Sequence, residues 1–278
     1  MPGTEDVVEN KFIAWMENPN DPTLRNAIHA ADGARQYGFK AALVGGVTVY
    51  GWCVPTLMEA AGESWLDEGW AEIYFRRPTY PDDEMTIRAE RGDGNWSFTA
   101  EKQTGETCIR GEFGLGKAPW LDTLTRSSHL EADPDLEQRE WLTLENAPIG
   151  EDLRTLPVNI SEDEAREIAV EKLRETNPLF TGEHPLVHPM TIARQMMSLL
   201  NYSYDYGRPS IHVSTHVQHL GRVRAGQELR LTGHFVNAYE QKGHHYSVFD
   251  GTLIDKDGRE LARIRHTNII KVAKRDNA

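Results

Sequence analysis

The feature that most constrains this chain is that it repeats itself once. Val44-Gly45-Gly46-Val47-Thr48-Val49 is echoed by Val187-His188-Pro189-Met190-Thr191-Ile192, 143 positions later. Pro81-Asp82-Asp83-Glu84-Met85-Thr86-Ile87 returns as Ala225-Gly226-Gln227-Glu228-Leu229-Arg230-Leu231 at a spacing of 144, and Thr104 to Arg110 returns as Asp257 to Arg263 at 153. Three echoes in one order, with a slowly growing offset, mean two copies of one domain rather than a solenoid of short units. A length of 278 residues accommodates two moderate cores.

Each copy has the same grammar: a loop, an apolar helical stretch, then alternating segments separated by turn signals. Met190, Ala193, Met196, Met197, Leu200 and Tyr204 recur at three- and four-residue spacing, which predicts a helix with one buried face. The matching run from Val47 to Ala61 is apolar almost all round and holds Pro55, which predicts a kinked or interrupted helix ending near Gly62. Strand patterns follow at Trp70–Phe75, Met85–Ala89, Trp96–Ala100 and Cys108–Leu115, then at Ile211–Val217, Leu229–Val236, Tyr246–Ile254 and Leu261–Val272. Gly92-Asp93-Gly94, Gln241-Lys242-Gly243 and Lys256-Asp257-Gly258 read as hairpin turns of an antiparallel sheet. The expectation is an α+β chain of two units, each a long helix against a curled antiparallel sheet. Residues 1–118 and 166–278 form the units, and 119–165 an acidic linker ending on a helix start of capping-box type at Ser161, with Glu164 three residues on.

Charge narrows the partners. The chain carries −13, of which −9 lies between residues 131 and 175. The excess acidity therefore belongs to the linker, and the two units are close to neutral. No basic stripe exists to replace phosphate counterions, so nucleic acid is not an expected partner, nor is a membrane surface. The N-terminus lacks a basic-then-apolar leader and no stretch reaches the length of a spanning helix, so a cytoplasmic location is expected. The two cysteines, Cys53 and Cys108, lie in apolar surroundings that suit core packing, which rules out a disulfide framework. Nine of the eleven histidines fall between 184 and 266. On a regular strand His212 and His216 would point one way and His219 the other, so these three do not make a metal site, and no metal is expected.

The segment Asn26-Ala27-Ile28-His29-Ala30-Ala31, with Gly38-Phe39 and then Leu43-Val44-Gly45-Gly46-Val47, resembles the hydratase segment of the MaoC-like family. There the pattern is Asp-x-Asn-Pro-x-His, an alanine, a Gly-Phe pair, and a glycine step into the central helix. The resemblance implies a double hotdog fold, as in R-specific enoyl-CoA hydratases and hydroxyacyl dehydratases. Adding water across an unsaturated thioester needs an acid/base group and an N–H for the developing enolate oxygen. A helix N-terminus strengthens the second. The resemblance gives His29 the acid/base role, Asn26 that of orienter, and the Gly46 N–H that of oxyanion donor. Leu24 stands at the aspartate position, which leaves Asp21 or Asp32 to orient His29. In the second copy Glu175 keeps the acid, Phe180 replaces the histidine, and Pro189, without an N–H, replaces the glycine. His184 and His188, flanking the loop into the second helix, are the substitutes that would make a competing site with Glu175.

The leading expectation is thus reversible hydration of an enoyl-CoA, or dehydration of a 3-hydroxyacyl thioester, by a small-molecule acyl-thioester enzyme. No separate cofactor is implied, since coenzyme A or an acyl carrier belongs to the substrate. Two alternatives stand beside it: a non-catalytic acyl-thioester-binding protein that lost the dyad, and a thioesterase in which Glu175 activates water. Hotdog proteins commonly assemble further, so a homodimer of the double unit is also expected. Arg76-Arg77, Arg222, Arg224, Arg230 and Lys242 are candidate phosphate contacts or ordinary exposed strand ends.

Overall fold

The computed structural model describes residues 6–18 and 26–273. Its twelve strands are β1 (Val7–Ile13), β2 (Gly69–Phe75), β3 (Glu84–Arg91), β4 (Trp96–Lys102), β5 (Thr107–Leu115), β6 (Glu140–Trp141), β7 (Asp152–Asn159), β8 (Tyr204–Asp205), β9 (Ile211–His219), β10 (Glu228–Gln241), β11 (His244–Asp255) and β12 (Glu260–Lys271). Ten of them form one antiparallel sheet in the order β1-β3-β4-β5-β2-β9-β12-β11-β10-β7, while β6 and β8 make a separate parallel pair. Read inward from either edge, the two halves have the same connectivity. The halves join where β2 pairs with β9: Trp70 faces Gln218 and Tyr74 faces Ser214. A shift of 144 positions exchanges those two pairs, so the joint is a local two-fold and fixes which residues of the halves correspond.

A long helix follows the edge strand of each half. The first, Gly46–Ala61, is buried from Val49 onward except at Pro55 and Glu59. It runs unbroken through Pro55, contrary to the expected interruption. The proline lies on the exposed stripe with Glu59, so its ring displaces no core side chain. Gly62 ends it with φ 86°, a conformation suited to glycine. The second helix, Pro189–Ser203, starts with His188 as its N-cap, whose Nδ1 accepts from the Met190 N–H at 3.2 Å. The two helices touch at Gly51, where a Cβ would lie 2.6 Å from Leu173 Cδ2 and 3.2 Å from Met190 Cβ. One hydrophobic cluster runs through both halves, and a smaller one (Ile28, Ala34, Leu43, Tyr80) lies under the segment carrying His29.

Three further expectations change. The stretch 119–165 is not only a linker, because β7 lies within it and pairs with β10 as the counterpart of β1. Leu153, Thr155 and Val158 give β7 its buried face, and Pro157 is tolerated because this is an edge strand. β1 likewise closes the other edge, with alternation weakened by Glu9, Asn10 and Lys11. Finally, the β9–β12 register slips between the His212–Asn268 and Ser214–Thr267 pairs. That bulge turns His212 to the same side as Thr215 and His219, while His216 packs on Trp120 and Glu72 on the other face. Elsewhere the turn chemistry is as read: Lys242 and Gly243, both at positive φ, make the two-residue turn between β10 and β11. Ser161 Oγ accepts from the Glu164 N–H at 3.1 Å.

Candidate functional site

The residues from Asn26 to Gly46 are the least regular part of the first half, and they are positioned by short-range bonds. Asn26 caps a single 3-10 turn, Ala27–His29, closed by His29 N–H donating to Asn26 O at 3.0 Å. Side chains three apart on such a turn stand on the same side. The Asn26 Nδ2 donates to Ser210 O at 2.7 Å, tying this turn to the second half across 184 positions of sequence. His29 Nδ1 donates to Leu43 O at 2.7 Å. A carbonyl only accepts, so Nδ1 carries the proton and Nε2 keeps its lone pair. Among the described residues, Nε2 makes no hydrogen bond. Burial pushes the His29 pKa below its ordinary value, partly offset by the Leu43 carbonyl, so the ring is neutral near pH 7.

These groups border a cavity of about 410 Å³ between the halves. The first half supplies Asn26, His29, Gly46 and Phe75; the second supplies Met197, Ser210 and His212. Gly45 and Gly46 form the step into the first helix; Thr48 N–H donates back to Gly45 O at 2.9 Å, whereas the Gly46 and Val47 N–H groups make no hydrogen bond among the described residues. His29 Cε1 lies 3.9 Å from where a Cβ on Gly45 would be, so the imidazole sits beside that helix N-terminus. A Cβ on Gly46 would meet the Phe75 ring at 2.8 Å, so glycine there keeps the wall open. His29, Val44 and Gly45 also border an outer cleft of about 510 Å³ that holds Lys172 and Arg194. The imidazole therefore stands between the inner cavity and this cleft.

The corresponding place in the second half is filled. Its lining includes Leu66, Phe180, Leu186, Pro189 and His219, the counterparts of Ser210, His29 and their neighbours, and about 10 Å³ remains. Phe180 is fully buried and packs on the His188 ring at 4.6 Å between centroids. His219, where the first half has Phe75, packs edge-on against Trp65 at 4.8 Å.

The residues expected to make a second site are separated or enclosed. Glu175 and His188 do come together, with Oε2 and Nε2 3.8 Å apart, but both are buried. Burial raises the Glu175 carboxyl; the facing His188 and the N–H groups of Asn177 and Thr176 more than compensate and hold it below its usual range. Burial lowers His188, with Glu175 opposing. His184 is exposed and bonds Glu162 at 2.9 Å instead. In the first half, Asn26 reaches Ser210 rather than His29, and the Leu43 carbonyl orients the histidine. Asp32 pairs with Arg35 at 3.0 Å on the surface. Leu24 and Asp21 lie outside the described residues.

Sequence reasoning missed three contributors to the cavity. The Leu43 carbonyl is a backbone group and leaves no trace in sequence, and Ser210 acts through its carbonyl. His212 enters only because of the β9 bulge. Its ring lies 4.2 Å from Phe75 and 4.1 Å from His266, and its Nε2 is 2.6 Å from Thr215 Oγ1. His266 is buried and His212 half-buried on the cavity wall, and desolvation foremost lowers the pKa of both.

Among protein-family models and among curated sequences, none matches this chain. Solved structures do. A MaoC-like dehydratase is 11% identical, with a TM-score of 0.57 over 96% of this chain and 98% of its own. A Mycobacterium tuberculosis protein described as having a double hotdog fold is 13% identical, at 0.56 over 91% and 88%. A Lactobacillus plantarum protein described as an oleoyl thioesterase is 10% identical, at 0.51 over 95% of both chains. At such identities the likeness concerns the fold: this chain is a double hotdog protein.

Proposed function

We propose that the chain is an acyl-thioester hydratase or dehydratase with one working site, in the first half, around His29. The observation that carries this reading is the inner cavity, which brings the free Nε2 of a neutral His29 beside the unpaired N–H of Gly46. In the hydration direction, Nε2 takes a proton from water as the water oxygen bonds C3 of the enoyl group. Electron density moves through C2 to the thioester oxygen, which the Gly46 N–H and the helix dipole stabilise. The imidazolium then returns the proton to C2, so that H and OH have added across the double bond. Dehydration runs the same steps backward. Without an aspartate in the described site, His29 handles the proton alone, and the Leu43 carbonyl stabilises its charged form.

Proteins of this fold described as dehydratases and as thioesterases are both among the structural neighbours. A thioesterase working through Glu175 is disfavoured, because that carboxylate is enclosed with His188 in the filled half. The purified chain should bleach the ultraviolet absorbance of crotonyl-CoA without releasing thiol. Thiol release at a comparable rate would replace the hydratase reading by hydrolysis. Tight binding of acyl-CoA with neither signal would leave a binding protein.

A further inference from the structure

Arg76 and Arg77, which directly follow β2, line the inner cavity and are both exposed. Arg76 is fixed through its backbone, its N–H donating to Cys108 O at 2.8 Å. Among the described residues neither guanidinium makes an ion pair. Glu106, the nearby carboxylate, is engaged by Lys102 at 3.2 Å. The filled half provides an internal comparison. There the corresponding positions are Leu220 and Gly221, and the next residue, Arg222, is clamped by Asp67 at 2.9 Å and approached by Glu63 at 3.8 Å. The molecule therefore neutralises the arginine beside its closed site and leaves two uncommitted beside its open one. Arginine is suited to phosphate by its planar fork of donors.

Resting on the thioester reading above, we infer that Arg76 and Arg77 form the phosphate-binding rim of the site and that the substrate is carried by coenzyme A rather than by a carrier protein. The phosphate of a phosphopantetheine arm is common to both carriers, so charge decides between them. A carrier protein presents an acidic face and needs a broad basic surface to dock on. The excess acidity of the chain lies in 131–175, but beside the rim the turn after the arginines exposes Asp82 and Glu84, while Asp83 is buried against Lys102 at 3.5 Å. Two free arginines followed by exposed carboxylates are not a broad basic face, and they match a small diphosphate rather than an acidic protein.

The test compares wild type with the Arg76→Ala/Arg77→Ala double variant on crotonyl-CoA, crotonyl-N-acetylcysteamine and crotonyl carrier protein. In the variant, KM for the CoA thioester should rise about tenfold or more beyond any rise for the N-acetylcysteamine thioester, which lacks phosphate, with kcat little altered. Equal changes on both substrates would overturn the proposal, as would a preference of the wild type for the carrier-protein substrate. A selective rise in Lys172→Ala/Arg194→Ala instead would place the phosphates in the outer cleft and overturn it too. Binding of a non-reactive ethyl-CoA thioether, measured by calorimetry, separates this inference from the catalytic one. Binding at least about tenfold weaker in the double variant supports the rim even if no thioester is turned over, and undiminished binding refutes it.

Discussion

Mild acid should destabilise this protein steeply, because two fully buried histidines are kept neutral by the fold. His219 and His266 are at most 1% exposed, and burial lowers them to about 4 and about 3; His212, beside His266, is held well below its ordinary value by burial and by that neighbour. In the unfolded chain each titrates near the ordinary 6.5. Since the native pKa lies below the unfolded one, the unfolded state binds more protons between them. Stability is then full above about pH 7, falls as the pH drops through 6.5, and goes on falling until each native pKa is reached. At pH 5 His219 and His266 both remain neutral in the native state. Each gives up about 2 kcal/mol, the 1.5 units between 6.5 and 5 at about 1.4 kcal/mol per unit. The sum, about 4 kcal/mol, is a large part of the whole stability of an ordinary domain, about 5–15 kcal/mol. Urea unfolding at pH 7.5 and 5.0, followed by tryptophan fluorescence, reads the difference directly. His219→Phe should remove about half of the loss. A change below about 1 kcal/mol between the two pH values would refute the burial of neutral histidines at this joint.

Phe180→Ala should cost about 3–5 kcal/mol of stability, the usual loss for a buried Phe, and should leave turnover largely intact because the proposed site lies in the first half and the matching space around Phe180 is filled; loss of activity in a folded variant would argue otherwise. Gly46→Val directs a side chain at the Phe75 ring and into the inner cavity, so thioester turnover should fall by at least about a hundredfold with the circular dichroism spectrum retained. Full activity in that variant would remove the cavity from the account.

Much of the fold was legible because the repeat is carried by the inner strands and helices, where burial imposes pattern. All eight strands read from alternation are present, with ends shifted by a few residues. The edge strands escaped detection because only one side of each is paired and their composition answers to solvent: Glu9 and Lys11 in β1, Asp152, Arg154 and Pro157 in β7. The second of these also lay inside an acidic stretch whose charge read as a connector. His29, Asn26 and Gly46 fall on one cavity because the motif marks the loop that precedes the helix. The Leu43 carbonyl was invisible, and His212 was assigned to the wrong face because a bulge of one residue inverts everything before it. Glu175 and His188 stand 3.8 Å apart, but sequence does not show that Phe180 fills the space beside them.

The central claim is that one histidine in the first half does the chemistry. The direct measurement is the rate of crotonyl-CoA hydration by His29→Ala against wild type, with Glu175→Gln beside it. The account predicts a fall of at least about a hundredfold for His29→Ala, the usual size of a general acid–base contribution, and a change of less than about threefold for Glu175→Gln in the folded fraction. An undiminished rate in His29→Ala, or a collapse confined to Glu175→Gln, would contradict it.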